Sequence, residues 1–147
     1  MRRELKFRTF DDARKELENL QKGPVETTGH WSYFQILSHL AKATEGSMKG
    51  VKREMSWWNR HVKGPLSLQA MWLQGYIPVG IQGPPAERVE GDEKQALEQL
   101  LKALGDFEKF EGVLSDHPRL GSIGKEGFHR FHVLHMANHL GYAKLKD

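Results

Sequence analysis

Residues 32–48, SYFQILSHLAKATEGSM, carry the clearest local structural pattern in the sequence. Ser32 and Gln35 form an S-x-x-Q capping box, in which each side chain satisfies a backbone N–H group at the start of a helix. Trp31, just before the cap, can pack on Ile36 as a hydrophobic staple. The pattern predicts a helix from Ser32 to about residue 50, with His39 two turns inside it. The apolar spacing of this helix comes from Phe34, Leu37, Leu40, Ala41, Thr44 and Met48.

Three other substantial helices are predicted from caps and apolar spacing. Thr9 can cap a helix over residues 10–20, whose apolar side chains share one face. Asp92 can cap a long helix that continues toward residue 117. The last helix is expected over residues 125–144, and it contains four of the eight histidines.

The middle of the chain is expected to add smaller elements to this framework. Residues 55–62 and 66–73 suggest two short helices, separated by Gly64-Pro65. Residues 76–91 contain several Gly and Pro residues, which predict a long connection before the third main helix. No segment has the alternation typical of a strand, so the predicted fold class is an all-α helical bundle.

The composition indicates one globular domain over residues 1–147. The chain is 38% hydrophobic and 28% charged, which is typical of a folded protein that is rich in polar residues. No apolar stretch approaches the ~20 residues that cross a bilayer, and no signal peptide is present, so the expected location is the cytoplasm, without a membrane partner. Because there are no cysteines, any metal ligands must be nitrogen or oxygen atoms, and the eight histidines are the main resource.

The basic residues in the first half of the chain are a candidate nucleic-acid-binding surface. The net charge is only +3, although basic residues are concentrated over residues 42–63. A solvated helix face explains this concentration better than nucleic-acid binding, because no recognised binding motif accompanies it. Several aromatic residues lie outside the faces that are expected to enter the core. They could form a dimer interface, so a homodimer is one expected alternative. The basic residues concerned are Lys49, Lys52, Arg53, Arg60 and Lys63.

The last helix places histidines on the face that is expected to enter the core. At about 100° per residue, His132, His135 and His139 fall within about 60° of one another, together with Phe128. A buried imidazole needs hydrogen-bonding partners, because an unpaired polar group costs about 1–3 kcal/mol. An H-x-x-x-H pair can satisfy this need by binding one cation, since its two rings lie one turn apart.

Two metal-binding pairs are available on this helix. His135 and His139 form the H-x-x-x-H pair, and His132 and His135 could also chelate at i, i+3. A catalytic zinc site typically has three protein ligands, so a third must come from another helix, where His39 is the natural candidate. The alternative interpretation is that the histidines of this helix pack in the core or lie on an exposed face, and bind no metal.

The segments GHWSYFQILSHLAKATEGSM (29–48) and FHVLHMANHLGY (131–142) resemble signatures of the DinB-like superfamily of metalloenzymes. The resemblance extends over nearly the whole chain and is closest to an uncharacterised branch, a domain of unknown function. It implies a four-helix bundle in which His39, His135 and His139 bind a divalent metal ion, zinc or nickel. Some members of the superfamily are thiol-dependent transferases, but a shared fold does not supply a substrate.

The leading functional hypothesis is a divalent-metal-dependent enzyme of the DinB-like type. It would act on a small molecule, for which a thiol is one candidate, as a hydrolase or a thiol-dependent transferase. The alternative is a non-catalytic bundle that binds a metal or a small ligand. His132 could act beside the metal ligands as a hydrogen-bonding neighbour or proton shuttle, or it could be a structural histidine.

Overall fold

The computed structural model describes residues 1–78 and 87–147. Within these ranges the fold is mainly α-helical, with five α-helices, one short π-helical segment and a two-stranded sheet. The π-helical segment, Asn59–Lys63, leads directly into α3, and the two strands are β1 (Val25–Thr27) and β2 (Ala143–Leu145). The α-helices are α1 (Phe10–Leu20), α2 (Tyr33–Ser47), α3 (Gly64–Gln74), α4 (Glu93–Lys109) and α5 (Gly124–Leu140).

Helix α2 is central to the packing, because it contacts both α4 and α5. Helix α1 packs against α5, and its Phe10 ring lies 5.7 Å from the Phe107 ring of α4. Helix α3 packs against α5 and shares a second, smaller core with Leu120 and Leu134. Side chains that are almost fully buried in the main core include Leu17, Ile36, Leu37, Leu40, Leu100, Leu104 and Met136.

The predicted N-terminal caps of α1, α2 and α4 are confirmed. Gln35 completes the capping box of α2 by accepting the Ser32 N–H at 2.9 Å. The same side chain accepts the N–H of Val89 and donates to the carbonyl of Glu87, so the cap of α2 also holds the chain just before α4. In all three caps the side-chain oxygen accepts the backbone N–H three residues later, at 3.0–3.2 Å, in the pairs Thr9–Asp12, Ser32–Gln35 and Asp92–Gln95.

The prediction that the chain has no strand is wrong for two short segments, residues 25–27 and 143–145. Strands β1 and β2 pair antiparallel, with Val25 opposite Leu145 and Thr27 opposite Ala143. Helix α5 therefore ends at Leu140 rather than at residue 144. Strands of three residues are too short to show a period of two, so the sequence carries no pattern that would identify them.

Helix α4 also ends earlier than the apolar spacing predicts. It stops at Lys109, whereas the spacing continues toward residue 117. The Ser115 N–H donates to the carbonyl of Ser47 at 2.9 Å, and the Asp116 N–H donates to the carbonyl of Val51 at 2.7 Å. These bonds to the end of α2 and the residues after it replace helical bonds within the segment.

The two short helices predicted around Gly64-Pro65 form one continuous helical stretch. The π-helical segment passes into α3 without a break. Pro65 has no N–H to donate within this stretch, and the carbonyl of Arg60 accepts the N–H of Ser122 at 3.2 Å instead. Of the predicted connection over residues 76–91, residues 79–86 lie outside the described part. None of the helices in the described ranges combines the length and apolar character that crossing a membrane demands.

Candidate metal centre

The three histidines predicted as metal ligands lie together between two helices. His39 belongs to α2, whereas His135 and His139 lie one turn apart on α5. The Nε2 atom of His135 is 3.0 Å from His39 Nε2 and 3.1 Å from His139 Nε2. One nitrogen from each residue lies within 4.8 Å of the other two. The packing of α2 on α5 thus produces a three-imidazole group that could hold a metal ion.

Aromatic side chains hold the three imidazole rings at large angles to one another. The planes of His135 and His139 meet at 82°, and those of His39 and His135 at 72°. Trp31 stacks on His139, with ring centroids 5.3 Å apart and planes 4° apart, and packs edge-to-face with His39 at a centroid distance of 4.9 Å. Phe131 stacks on His135 at 5.0 Å. Each imidazole therefore has an aromatic neighbour that limits its rotation.

Hydrogen bonds alone do not satisfy this group. The single Nε2 atom of His135 faces the Nε2 atoms of both His39 and His139. A neutral imidazole nitrogen carries either one proton or one lone pair, so this atom cannot make a full bond to both neighbours. A cation could accept lone pairs from all three nitrogens. Zinc–nitrogen bonds of about 2.0–2.1 Å in a tetrahedral site place the ligand nitrogens about 3.3 Å apart. The Nε2 atoms of the pairs His39–His135 and His135–His139 lie close to this spacing.

The environment also keeps the imidazoles in the neutral form that binds metals. Burial lowers the pKa of His139 to about 3, with a smaller contribution from His39. Burial lowers the pKa of His135 well below its usual value, and the neighbouring His139 and His39 lower it further. Burial and the positive charge of Lys42 lower the pKa of His39. At neutral pH these residues need not lose a proton before they bind a metal ion.

The three imidazoles line a cavity of about 790 Å³. Its wall combines apolar and polar groups from α2, α5 and the segment between α4 and α5. Its charged residues within the described ranges are Lys42, Arg53 and Arg119 on the positive side and Asp116 on the negative side. This volume is within the range of small-molecule sites. Further lining residues are Trp31, Ile36, Ser47, Ile77, His117, Phe128, Phe131, Asn138 and Tyr142.

His132 lies apart from the three-imidazole group. Its side chain is fully buried, and its Nε2 atom is 3.0 Å from the hydroxyl of Ser47. Because the Ser47 hydroxyl donates to the carbonyl of Thr44 at 2.6 Å, it accepts from His132, which fixes the proton on Nε2. The Nδ1 atom is buried without a partner among the described residues, and burial lowers the His132 pKa to about 3. His132 is not part of the group of histidines that lie close enough together to hold a metal ion, which is His39, His135 and His139.

His117 is a site residue that the spacing argument did not identify. It lies in the turn before α5, where its Nδ1 atom accepts the N–H groups of Arg119 at 3.1 Å and Leu120 at 3.0 Å. Its ring meets Phe131 edge-on at 4.3 Å, and it lines the same cavity as the metal centre. A histidine in a turn has no helical periodicity, so only the three-dimensional structure brings it to the site.

The basic stretch of residues 42–63 does not form one uniform surface. Lys42 and Arg53 line the cavity, whereas the Arg60 guanidinium lies 3.4 Å from the buried carboxylate of Asp116. Part of the basic excess therefore faces the candidate site or neutralises an internal acid. Lys49 and Lys52 are exposed.

Comparison with known proteins gives a family but no relative of known activity. No curated protein matches the chain, and no solved structure matches it. A family model described as "Protein of unknown function (DUF1569)" matches residues 1–145, which is nearly the whole chain. The chain belongs to this family of proteins of unknown function.

Proposed function

We propose that this protein binds one divalent metal ion through His39, His135 and His139. The observation that carries the proposal is the convergence of three imidazole nitrogens within 4.8 Å at the wall of a cavity. Their neutral state and their incomplete hydrogen bonding support it. Zinc or nickel is the proposed metal, because imidazole nitrogens suit both ions.

We also propose that the helices adopt the four-helix arrangement of the DinB-like superfamily. The contacts of α2 with α4 and α5, and of α1 with α5, are compatible with such a bundle. The resemblance of residues 29–48 and 131–142 to that superfamily supports the same arrangement. The proposed location of the protein is the cytoplasm, where a homodimer is one available assembly and nucleic acid is not a partner.

The proposed activity is a metal-dependent reaction of a small molecule, either hydrolysis or transfer to or from a thiol. A bound divalent metal ion supplies Lewis-acid chemistry, because it lowers the pKa of a bound water or thiol. The chain contributes the cavity that receives the molecule, and Trp31 and Phe131 fix the imidazole orientations. The alternative is that the same cavity binds a metal and a small ligand without turnover.

Elemental analysis of untagged protein tests the metal site. We expect about one metal ion per chain in the wild type, and little in His39→Ala and His135→Ala. His61→Ala is the matched control, because His61 is exposed and does not line the cavity, so its metal content should equal that of the wild type. Equal metal content in all four proteins, or none after reloading with zinc and nickel, would contradict the proposal.

Activity assays of the metal-loaded protein separate the enzyme from the non-catalytic alternative. The substrates are p-nitrophenyl esters for hydrolysis, and a small thiol with an electrophilic chloroarene for thiol transfer. We expect turnover that disappears in His135→Ala and in the presence of a chelator. Full metal loading without turnover across both substrate classes would favour the binding protein over the enzyme.

A further inference from the structure

The cavity that contains the metal centre has a second polar region around His117. Arg53 and Arg119 line this cavity, and they come from two separate segments of the chain. Both positive charges act on His117: after burial, they are the next contributions that lower its pKa, to about 4. His117 is therefore a neutral imidazole beside two cationic side chains.

The hydrogen bonds of His117 fix which of its nitrogens carries the proton. Its Nδ1 atom accepts two backbone N–H groups, from Arg119 and Leu120, and must therefore be the unprotonated nitrogen. The neutral ring then carries its proton on Nε2. Among the described residues, no acceptor is paired with this Nε2–H group. It is a donor of fixed orientation on a residue that lines the cavity.

The nearby acid does not cancel the charge of the two arginines. The buried carboxylate of Asp116 lies 3.4 Å from the Arg60 guanidinium and accepts the backbone N–H of Arg53 at 3.0 Å. The Arg53 side chain is anchored through Nε to the backbone carbonyl of Asp116 at 3.1 Å, which leaves its terminal nitrogens for another acceptor. Within the described ranges, neither Arg53 nor Arg119 forms an ion pair with a carboxylate.

We propose that His117, Arg53 and Arg119 form an oxyanion-binding subsite for a carboxylate or phosphate group. Arginine guanidinium groups bind both kinds of oxyanion through paired hydrogen bonds, and the His117 Nε2–H adds a neutral donor. This inference deepens the proposed function, on which it rests, because it assigns an anionic group to the small molecule that reaches the three histidines.

The charge of the proposed metal centre agrees with this assignment. Three neutral imidazoles leave the charge of a divalent cation uncompensated, and Lys42 adds a positive charge to the same cavity. An anionic ligand in the cavity would balance the positive charge of the metal ion and that of the two arginines. A neutral or cationic ligand would compensate neither the metal ion nor the arginines.

The test is an NMR titration of the full chain, labelled with nitrogen-15, as isolated and after metal removal. Sodium phosphate and sodium acetate are the probes, at constant ionic strength. The backbone amides of Arg119 and Leu120 report binding directly, because both donate to His117. Saturable shifts of these amides are expected, and the preferred probe distinguishes a phosphate ligand from a carboxylate.

Two variants remove the subsite in different ways. In His117→Asn the side-chain oxygen can still accept the two backbone N–H groups, as in an Asx turn, but the Nε2–H donor is lost. Arg53→Gln/Arg119→Gln removes two charges from exposed side chains. Each variant should bind the preferred anion at least about tenfold more weakly, the loss expected for a charge-assisted or fixed hydrogen bond.

The controls separate this inference from the metal proposal. Lys94→Gln/Lys102→Gln removes two charges from the exposed face of α4, outside the cavity, and should bind the anion as the wild type does. His135→Ala should lose the metal and keep the anion, whereas His117→Asn should keep the metal. Absence of saturable shifts in the wild type, or wild-type anion affinity in both subsite variants, would overturn the inference whatever the metal content.

Discussion

At the scale of single residues, the proposed metal centre depends on side chains that are not themselves candidate ligands. Trp31 is the clearest case, because its ring lies parallel to His139 and packs edge-to-face with His39. An aromatic pair of this kind contributes about 0.5–1.5 kcal/mol beyond its buried area. The stacking holds the His139 ring in the orientation that brings its Nε2 atom near His135.

Trp31→Ala should therefore weaken zinc binding by about 2- to 12-fold, the equivalent of the stacking energy. Competition with a chromogenic zinc chelator measures the change. Trp57→Ala is the control, because Trp57 is 69% exposed and its ring packs at a tilt of 45° against His61, outside the cavity. Equal zinc affinity in Trp31→Ala and the control would show that the stacking does not position His139.

His132 makes stability depend on pH in a direction that the structure fixes. Burial lowers its folded-state pKa to about 3, below the ordinary value of 6.5 that applies to the unfolded chain. Between these values the unfolded state binds more protons. The contribution of neutral His132 to stability is complete above about pH 6.5 and decreases as the pH falls toward 3, by about 1.4 kcal/mol per pH unit.

Urea unfolding of the metal-free protein between pH 7 and 4 tests this dependence. His132→Gln cannot be protonated in this range, so its free energy of unfolding should fall less steeply with decreasing pH than that of the wild type, by about 1.4 kcal/mol per pH unit. Parallel pH profiles for the two proteins would contradict the buried, neutral state of His132.

The residues of the site differ in how far the sequence identifies them. His39, His135 and His139 follow from a capped helix, an H-x-x-x-H pair and a family resemblance, which together place them on two helices. Trp31 is expected only as a hydrophobic staple on Ile36, because its stacking partner lies more than a hundred residues away. His117 has no periodic context at all, so its position depends on how the turn before α5 packs.

At the scale of elements, helix starts follow from local chemistry, whereas helix ends depend on distant partners. The capping box of α2 is formed by Ser32 and Gln35, which lie three residues apart, and such short-range bonds can be predicted. The end of α4 depends on bonds from Ser115 and Asp116 to residues at the end of α2 and beyond. The end of α5 depends on pairing with β1, a strand from the opposite end of the chain.

Close backbone contact fixes the position of α3. A Cβ atom at Gly64 would lie 2.1 Å from the carbonyl oxygen of Leu120 and 2.5 Å from its carbon, which are backbone atoms that cannot rotate away. Glycine is required there because the first turn of α3 lies directly on the segment that leads to α5.

Gly64→Ala should therefore destabilise the protein by about 2 kcal/mol or more in urea unfolding, because the helix must move from this contact. Gly105→Ala is the matched control: Gly105 lies inside α4 with no atom near its would-be Cβ, so alanine should stabilise the protein by about 0.5–1 kcal/mol. Equal stability of Gly64→Ala and the wild type would contradict the close contact of α3 with Leu120.

At the scale of the whole molecule, the proposed metal centre would link α2 to α5, because its three histidines come from these two helices. The family match over residues 1–145 agrees with one unit that includes both helices. Because the three histidines come together only in the folded state, a metal ion that binds them would stabilise the fold. We expect residues 1–147 to unfold as a single domain.

Zinc at about 100 times its dissociation constant should stabilise the fold by about 2.7 kcal/mol, which corresponds to a rise in Tm of about 5–10 °C. A chelator should reverse the shift, and thermal unfolding followed by circular dichroism should show one transition. His61→Ala should show the same rise, and His135→Ala should show none. A rise of equal size in His135→Ala would mean that zinc stabilises the protein from another site.

The central claim is that three particular nitrogen atoms bind one metal ion. Long-range proton–nitrogen NMR spectra of the histidine side chains, recorded during zinc titration, observe these atoms individually. We predict that the Nε2 resonances of His39, His135 and His139 move to the range of metal-bound nitrogen and saturate at one zinc per chain, while His132 keeps its proton on Nε2. Zinc-dependent changes that omit any of the three Nε2 atoms, or that continue beyond one equivalent, would contradict the account.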